Sequence, residues 1–425
     1  MRRRLVTARA IVACAATISL ILLAGCAAES IPTPTLTEPA PAETAEPALY
    51  DGPALFIGDE LDWFVPDTAA LLNLLPGSAD ATGPSDQLTV VSDGGGEPAV
   101  PSICDVLAYE VQMDAIAART VEWSNEKSSD AAGGKFTVMQ YPGEGNVQAM
   151  VASLRSAGES CADFGYSGPS SFSQVVDLDG DIDVLTGFVS MGDGDGQWNA
   201  LYGYVAAGNV LVQLVQPADE GAEFDGEAIA MLLRDVAEDA DDKLRAKLTE
   251  NPPAPDDGAR DDPAAAWSDW QITANQIGPL RTGDPVEDAL AAIPGVQTHS
   301  ERDGEWILTD AEGDSLTLRS EDGVTITSLM AGAENLWGTE ELVDGAALPS
   351  AEGARIGQPA SAAFDAFPGG THVRVVSSGQ EQYWSANRDG GVIKFALDPD
   401  APADSNAAIV GILVAGPDSR SIPTF

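Results

Sequence analysis

Two helical stripes and a series of strand-like runs alternate through the first half of the chain. Val147, Met150, Val151 and Leu154 recur at i, i+3, i+4 and i+7, and Ile229, Leu232, Leu233, Val236, Ala240 and Leu244 mark a longer closing helix. Asp67 is placed to cap a short helix through Leu75, which Pro76 and Gly77 stop. Between these lie four runs that read as strands: Lys135 to Tyr141, Ile182 to Val189, Ala200 to Val205 and Val210 to Val215. Gly208-Asn209 can turn the last two back on each other, because glycine accepts the positive φ of a tight hairpin. This pattern predicts a mostly antiparallel sheet packed on helices.

The second half contains a duplication. Gly283, Pro285, Ala289, Ala292, Pro294 and Gly295 align with Gly357, Pro359, Ala363, Ala366, Pro368 and Gly369 at an offset of 74. In both, proline stands at the expected first position of a helix and Pro-Gly ends it. Alternating runs follow each helix: Trp306 to Thr309, Ser315 to Leu318 and Val324 to Leu329 in the first, then His372 to Val376, Gln382 to Ser385, Val392 to Leu397 and Ile409 to Val414 in the second. The ends align as Leu329-Met-Ala-Gly332 with Leu413-Val-Ala-Gly416. Two copies, about 272–332 and 348–416, predict a pseudo-twofold domain rather than a solenoid, which needs three or more repeats.

Two stretches lack the large apolar residues a core requires. One, 26–48, is rich in Pro, Thr, Glu and Ala and predicts an extended tether; the other, 249–266, is rich in Pro and Asp and predicts a linker. The expected fold class is therefore α+β in two domains, 49–248 and 267–425, each an antiparallel sheet packed with helices, the second built from two repeats.

The N-terminus, 1–25, has the order of a secretory signal: Arg2, Arg3, Arg4 and Arg9, then an apolar run from Ala10 to Leu23, then small residues. The run is short for a spanning helix of ~20 residues. Leu23-Ala24-Gly25-Cys26 resembles the lipobox of bacterial lipoproteins. That resemblance implies cleavage before Cys26, a diacylglyceryl group on its thiolate and a further acyl chain such as palmitate on its freed amine; two chains give stable anchoring. The expected setting is the extracytoplasmic face of a cell membrane. The other reading is an ordinary cleaved signal in which Cys26 is incidental.

Composition narrows the partners. The chain carries 67 acidic against 21 basic residues, net −46, and is more negative still without the signal arginines. Nucleic acid and anionic lipid are poor partners, because phosphate contacts need clustered Lys and Arg, and no nucleic acid is expected to bind. Metal cations, basic peptides or cationic wall components stay open, beside a purely solvating role for the charge. Of the four cysteines, Cys14 lies in the signal and Cys26 in the lipobox, so Cys104 and Cys161 remain and are expected to pair in an exported protein.

Cys104-Asp-Val-Leu-Ala-Tyr109, the strand Phe136 to Tyr141, the helix Ala149 to Ala157 running into Ser160-Cys161, and Gly208-Asn209-Val-Leu-Val-Gln213 before a long helix occur in this order. The series resembles the extracytoplasmic sensor domain of PknH-type serine/threonine kinases, which implies a helix-flanked antiparallel sheet with a cleft and two disulfides. This chain departs from it in having one cysteine pair and no kinase domain. The duplicated half, with Ile277-Gly278-Pro-Leu-Arg-Thr-Gly283 before its first helix, resembles the tandem fold of β-lactamase inhibitory protein and its lipoprotein relatives. That resemblance implies a sheet face that binds a protein partner.

Catalytic chemistry finds little to stand on. The two histidines, His299 and His372, both lie beyond residue 266, so a Ser-His-Asp or Cys-His site within the first domain is excluded. Ser124-Asn-Glu-Lys127 satisfies Ser-x-x-Lys, but no Lys-Thr-Gly partner exists. Asp177, Asp179, Asp181 and Asp183 alternate as in a calcium loop, yet Ile182 and Phe188 stand where an EF-hand has glycine and glutamate, which leaves a solvated turn or an irregular weak calcium site. Gly192 to Gly196 reads as a loop tip. Trp267, Trp270, Trp337 and Trp384 suit core or linker packing better than a sugar platform. No catalytic residue, cofactor or metal ligand is expected. The sequence predicts a membrane-anchored module binding an extracytoplasmic ligand or protein, the alternative being a cell-wall hydrolase with paired carboxylates.

Overall fold

A computed structural model of the chain describes residues 49–417 apart from 76, 91–97, 109–114, 126–132, 167, 179–181, 193–196, 220–221, 254–257, 334–343, 376–378 and 399–405. Asp67 caps the first helix, α1 (Thr68–Leu74), its carboxylate accepting from the Ala70 N–H at 2.9 Å. Then come β1 (Ser78–Ala79), β2 (Gln87–Val90), α2 (Asp105–Ala108), β3 (Ala117–Asn125), β4 (Gly134–Gln140), α3 (Glu144–Ser160), β5 (Phe164–Gly165), β6 (Pro169–Leu178), β7 (Asp183–Met191), β8 (Trp198–Ala207), β9 (Val210–Pro217) and α4 (Gly226–Glu250). Eight of these strands form one antiparallel sheet in the order β1-β3-β4-β9-β8-β7-β6-β5.

That sheet is covered on both faces, which is why β8 and β9 read as nearly continuous apolar runs. Tyr202, Tyr204 and Ala206 share a core with Val147, Leu154 and Ala157 of α3. On the other face Leu201, Val205 and Ala207 pack with Ile229, Leu233, Ala240 and Leu244 of the predicted α4 stripe and with Ala237, while Leu232 and Val236 of that stripe are only partly buried. A Cβ on Gly203 would lie 3.0 Å from Leu233, so glycine lets the helix come this close. The four expected strands are all present. Of the other four strands of this sheet, β1 and β5 are two residues long, β3 is interrupted by Arg119 and Glu122, and β6 exposes much of its length, so none has a clean apolar period.

The second sheet follows a small three-stranded one made of β10 (Ile272–Thr273), β11 (Gln276–Ile277) and β12 (Leu280–Arg281). Its elements are α5 (Val286–Ala292), β13 (Gln297–Arg302), β14 (Glu305–Thr309), β15 (Ser315–Arg319) and β16 (Ser328–Gly332), then α6 (Ser361–Ala366), β17 (Thr371–Val375), β18 (Gln380–Ala386), β19 (Val392–Leu397) and β20 (Ile409–Ala415). The order β13-β14-β15-β16-β20-β19-β18-β17-β2 puts the last strands of the two copies side by side at the centre. Matching hydrogen bonds mark the equivalence: Gly283 N–H to Ile326 O and Gly357 N–H to Ile409 O, both 2.8 Å, and Ile326 N–H to Asp284 O at 2.9 Å beside Ile409 N–H to Gln358 O at 2.8 Å. Gly283 and Gly357 both hold a positive φ, 88° and 83°.

These bonds correct two expectations. They equate Ile326 with Ile409, hence Leu329 with Ile412, one residue away from the alignment of Leu329 with Leu413. The difference is physical: Leu329 and Ile412 both enter the helix-covered core, whereas Leu413 points to the opposite face with Met330, its partner across the seam. The prolines also sit outside the helices rather than at their first positions, Pro285 as the N-cap of α5 and Pro359 two residues before α6.

The two sheets meet along the chain from Ser78 to Val90. Ser78 and Ala79 pair with β3, Ser85 exchanges two 2.8 Å hydrogen bonds with Thr120, and β2 then leaves the first sheet to lie parallel to β17, with Leu88 opposite Val373. Nearby, Glu60 is 3 % exposed in the 3-10 turn Gly58–Phe64. Its carboxylate accepts from the Ile57 N–H at 2.9 Å, from Lys247 of α4 at 2.6 Å and from both terminal nitrogens of Arg388 in the β18–β19 turn. Arg119 of β3, also buried, donates to Asp62 at 3.0 Å and to Gly369 O at 2.9 Å. The expected linker is partly docked: Asp262 O accepts from the Trp270 indole at 3.0 Å, and Arg260 pairs with Asp284 at 2.6 Å.

Burial pushes the Glu60 carboxyl up, but Arg388, Lys247 and the Ile57 N–H outweigh it and hold the group below its usual range. The stability it contributes is therefore complete at neutral pH and is lost as pH falls through that depressed value. Glu60→Gln is expected to cost about 3 kcal/mol at pH 7, because it leaves the half-buried Arg388 without its charge partner. The deficit should shrink below pH 4 in chemical denaturation, and an unchanged deficit at pH 3 would refute the assignment.

Candidate functional site

Cys104 and Cys161, both fully buried, form a disulfide with Cα atoms 5.9 Å apart. It ties the turn entering α2 to the C-cap of α3. Cys26 lies outside the described residues, as do Lys127, Trp337, Asp179, Asp181 and most of the Gly192–Gly196 tip.

The two ends of the alternating aspartate run are brought together around an arginine. Arg155 of α3 donates to Asp177 at 3.1 Å, to Asp183 at 2.9 Å and to Leu178 O at 3.2 Å. Its guanidinium stands between carboxylates that a cation would otherwise share, so the β6–β7 hairpin is fastened to α3 through Arg155. Among the described residues no group of three or more Asp, Glu, His or Cys side chains is placed to hold a metal ion.

His299 is exposed on β13. His372 stands on β17 against the rings of Phe364 and Tyr383, with centroids at 4.7 and 5.1 Å. Its Nε2 lies 3.7 Å from Asp86, which the crossing segment carries over from the first half. Separating the histidines from the first domain by residue number therefore misses this approach, although no described nucleophile completes a triad. Trp267, Trp270 and Trp384 are buried, which removes them from any sugar-binding surface.

An open cleft of about 970 Å³ runs beside the C-terminal half of α4. Its walls are the entry segment Asp51–Ala54, Arg234, Glu238, Asp241, Asp242 and Arg245 of α4, Glu144 at the start of α3, Ile182, and the β8–β9 turn at Ala207 and Gly208. Arg245 is held by Asp241 at 2.6 Å and by Tyr50 O at 3.2 Å. Among the described residues the lining contains no serine, threonine, cysteine or histidine. Sequence reading missed the cleft because its charged residues occupy the outer face of a helix, where they resemble any solvated stripe. It also missed Glu60, whose one signal is a carboxylate set among Phe56, Leu61 and Phe64, all fully buried.

No protein-family model matches the chain, and no curated protein does. Among solved structures it is similar to the extracellular domain of PknH from Mycobacterium tuberculosis, at 13 % identity and a TM-score of 0.32, over 46 % of this chain and 100 % of that one. It is also similar to a putative uncharacterized protein, an Rv0999 ortholog, from Mycobacterium smegmatis, at 14 % identity and a TM-score of 0.27, over 42 % of this chain and 99 % of that one. The first is of the kind named by the Cys104 to Gln213 resemblance. At these scores neither likeness bears on ligand or activity. No helix among the described residues is long and apolar enough to cross a membrane.

The disulfide closes a sequence separation of 57 residues. By the loss of loop entropy in the unfolded chain, Cys104→Ser with Cys161→Ser is expected to cost roughly 4 kcal/mol. Urea unfolding of the double variant checks this; a loss below about 1 kcal/mol would show that the segments hold without the bridge.

Proposed function

We propose that the mature chain is a lipid-anchored extracytoplasmic module that binds a ligand or a protein rather than transforming a substrate. The observation that carries the binding reading is the α4 cleft, a concavity whose described walls are rich in charged side chains and hold no nucleophile or imidazole. The groups singled out for chemistry support it: the two cysteines are bonded to each other, Asp177 and Asp183 are engaged by Arg155, and three tryptophans are buried. The carboxylates of the cleft outnumber its arginines, so the complementary ligand carries positive charge. Nucleic acid is no partner on this reading. Anchoring rests on the lipobox-like Leu23-Ala24-Gly25-Cys26, with 26–48 as the tether to the membrane.

Cells fed an alkyne-tagged palmitate should label the wild-type protein, whereas Cys26→Ser should abolish the label and move the protein from the membrane fraction to the medium. Label retained by the variant would end the anchoring proposal. For binding, incubation of the purified mature chain with cell-wall polysaccharide should release no new reducing ends. Release that disappears in Glu238→Gln or Asp241→Asn would place a hydrolase in the cleft instead.

A further inference from the structure

The duplicated sheet protects its two outer edges in different ways. β13 and β17 are equivalent edge strands, and an uncovered edge presents unpaired N–H and C=O groups that recruit other strands. β13 is blunted by a register break between Ser300 and Arg302 and, among the described residues, has no strand paired beyond it. β17 has an unbroken register with β18, and among the described residues the strand paired on its outer side is β2. A straight edge covered by a borrowed strand is a strand-acceptor site with its occupant in place.

The occupant is weakly held by the standards of this sheet. Its described part is four residues long, Gln87–Val90, and it makes the one parallel pairing between strands among the described residues. Parallel pairing is slightly less stable per residue than antiparallel pairing. Gln87 and Thr89 are exposed, so the described burial of the strand comes from Leu88, 2 % exposed and in one core with Val373 and Trp384. The in-chain strand thus displays what the edge accepts: an extended segment, parallel to β17, with an aliphatic side chain at its second position.

We infer that β17 is a peptide-acceptor edge held closed in cis by β2, and that its partner is an extended segment of another protein that displaces β2 and sets an aliphatic side chain in the Leu88 slot. Main-chain hydrogen bonds supply affinity in such strand addition, and the side-chain slot supplies selectivity. The inference is independent of the lipid anchor and of the α4 cleft, so either reading can fail alone.

The probe is a fluorescein-labelled peptide of residues 85–90, SDQLTV, with a control in which its leucine is replaced by aspartate. The mature Leu88→Asp chain, its strap undocked, should bind the probe at least tenfold more tightly than wild type in fluorescence anisotropy. The control peptide should bind neither, and Val373→Asp in the same background should abolish uptake. Equal affinity of wild type and a folded Leu88→Asp chain overturns the proposal, as does dimerisation of the variant without peptide uptake, which assigns the edge to a second copy. Hydrogen exchange on the unaltered chain decides the case if the variant does not fold. The His372 amide, which donates to Asp86 O at 2.8 Å, should exchange at least tenfold faster than that of Ile412 in central β20. Equal protection of the two, after correction for intrinsic rates, overturns the strap.

Discussion

A buried carboxylate governs how this molecule is assembled. Glu60 accepts hydrogen bonds from its own turn, from α4 and from the β18–β19 turn, so one side chain joins the first sheet's cover to the second sheet. The chain has 21 basic residues against 67 acidic ones, and Arg119, Lys247 and Arg388 converge on this region. Two of these scarce cations, Lys247 and Arg388, pair with the one carboxylate here that has left water, Glu60, which is the condition under which a buried charge is held. The remaining acidic groups mostly face solvent, where they raise solubility and repel anions.

The crossing strand depends on that junction. Segment 78–90 pairs first with β3 and then with β17, and Ala118 N–H donates to the Thr371 hydroxyl at 3.2 Å beside it. Two sheets that the sequence separates by a linker are therefore hydrogen-bonded to each other, and the described residues fall in one compact unit, Ala48–Phe425. The duplicated half is symmetric in its backbone bonds yet asymmetric in its surroundings. Trp384 and Val392 of the second copy enter the core of the first sheet, while among the described residues β13 of the first copy is an outer strand.

How much could be read in advance follows from the range of the interactions. The α3 and α4 stripes, the β8–β9 hairpin and the duplication depend on neighbours a few residues apart, and periodicity displays them. β3 and β6 carry charged or exposed residues, so their pairing is decided by distant partners. The copy register slipped by one because Leu-x-Ala-Gly matches by letter, while the pleat admits only the alignment that keeps Leu329 and Ile412 inside. The Asp177–Asp183 run shows the same limit, since Arg155, 22 residues before Asp177, decides what those carboxylates face.

The sequence by itself determined the α3 and α4 helices, the β8–β9 hairpin, the α+β class, the duplication and the cysteines left to pair, because each is written in local spacing or composition. Tertiary structure alone decided the Glu60 junction, the passage of β2 into the other sheet, and the cleft beside α4. Each of these requires groups far apart in the chain to meet in a water-poor or concave place, and no local period records such a meeting.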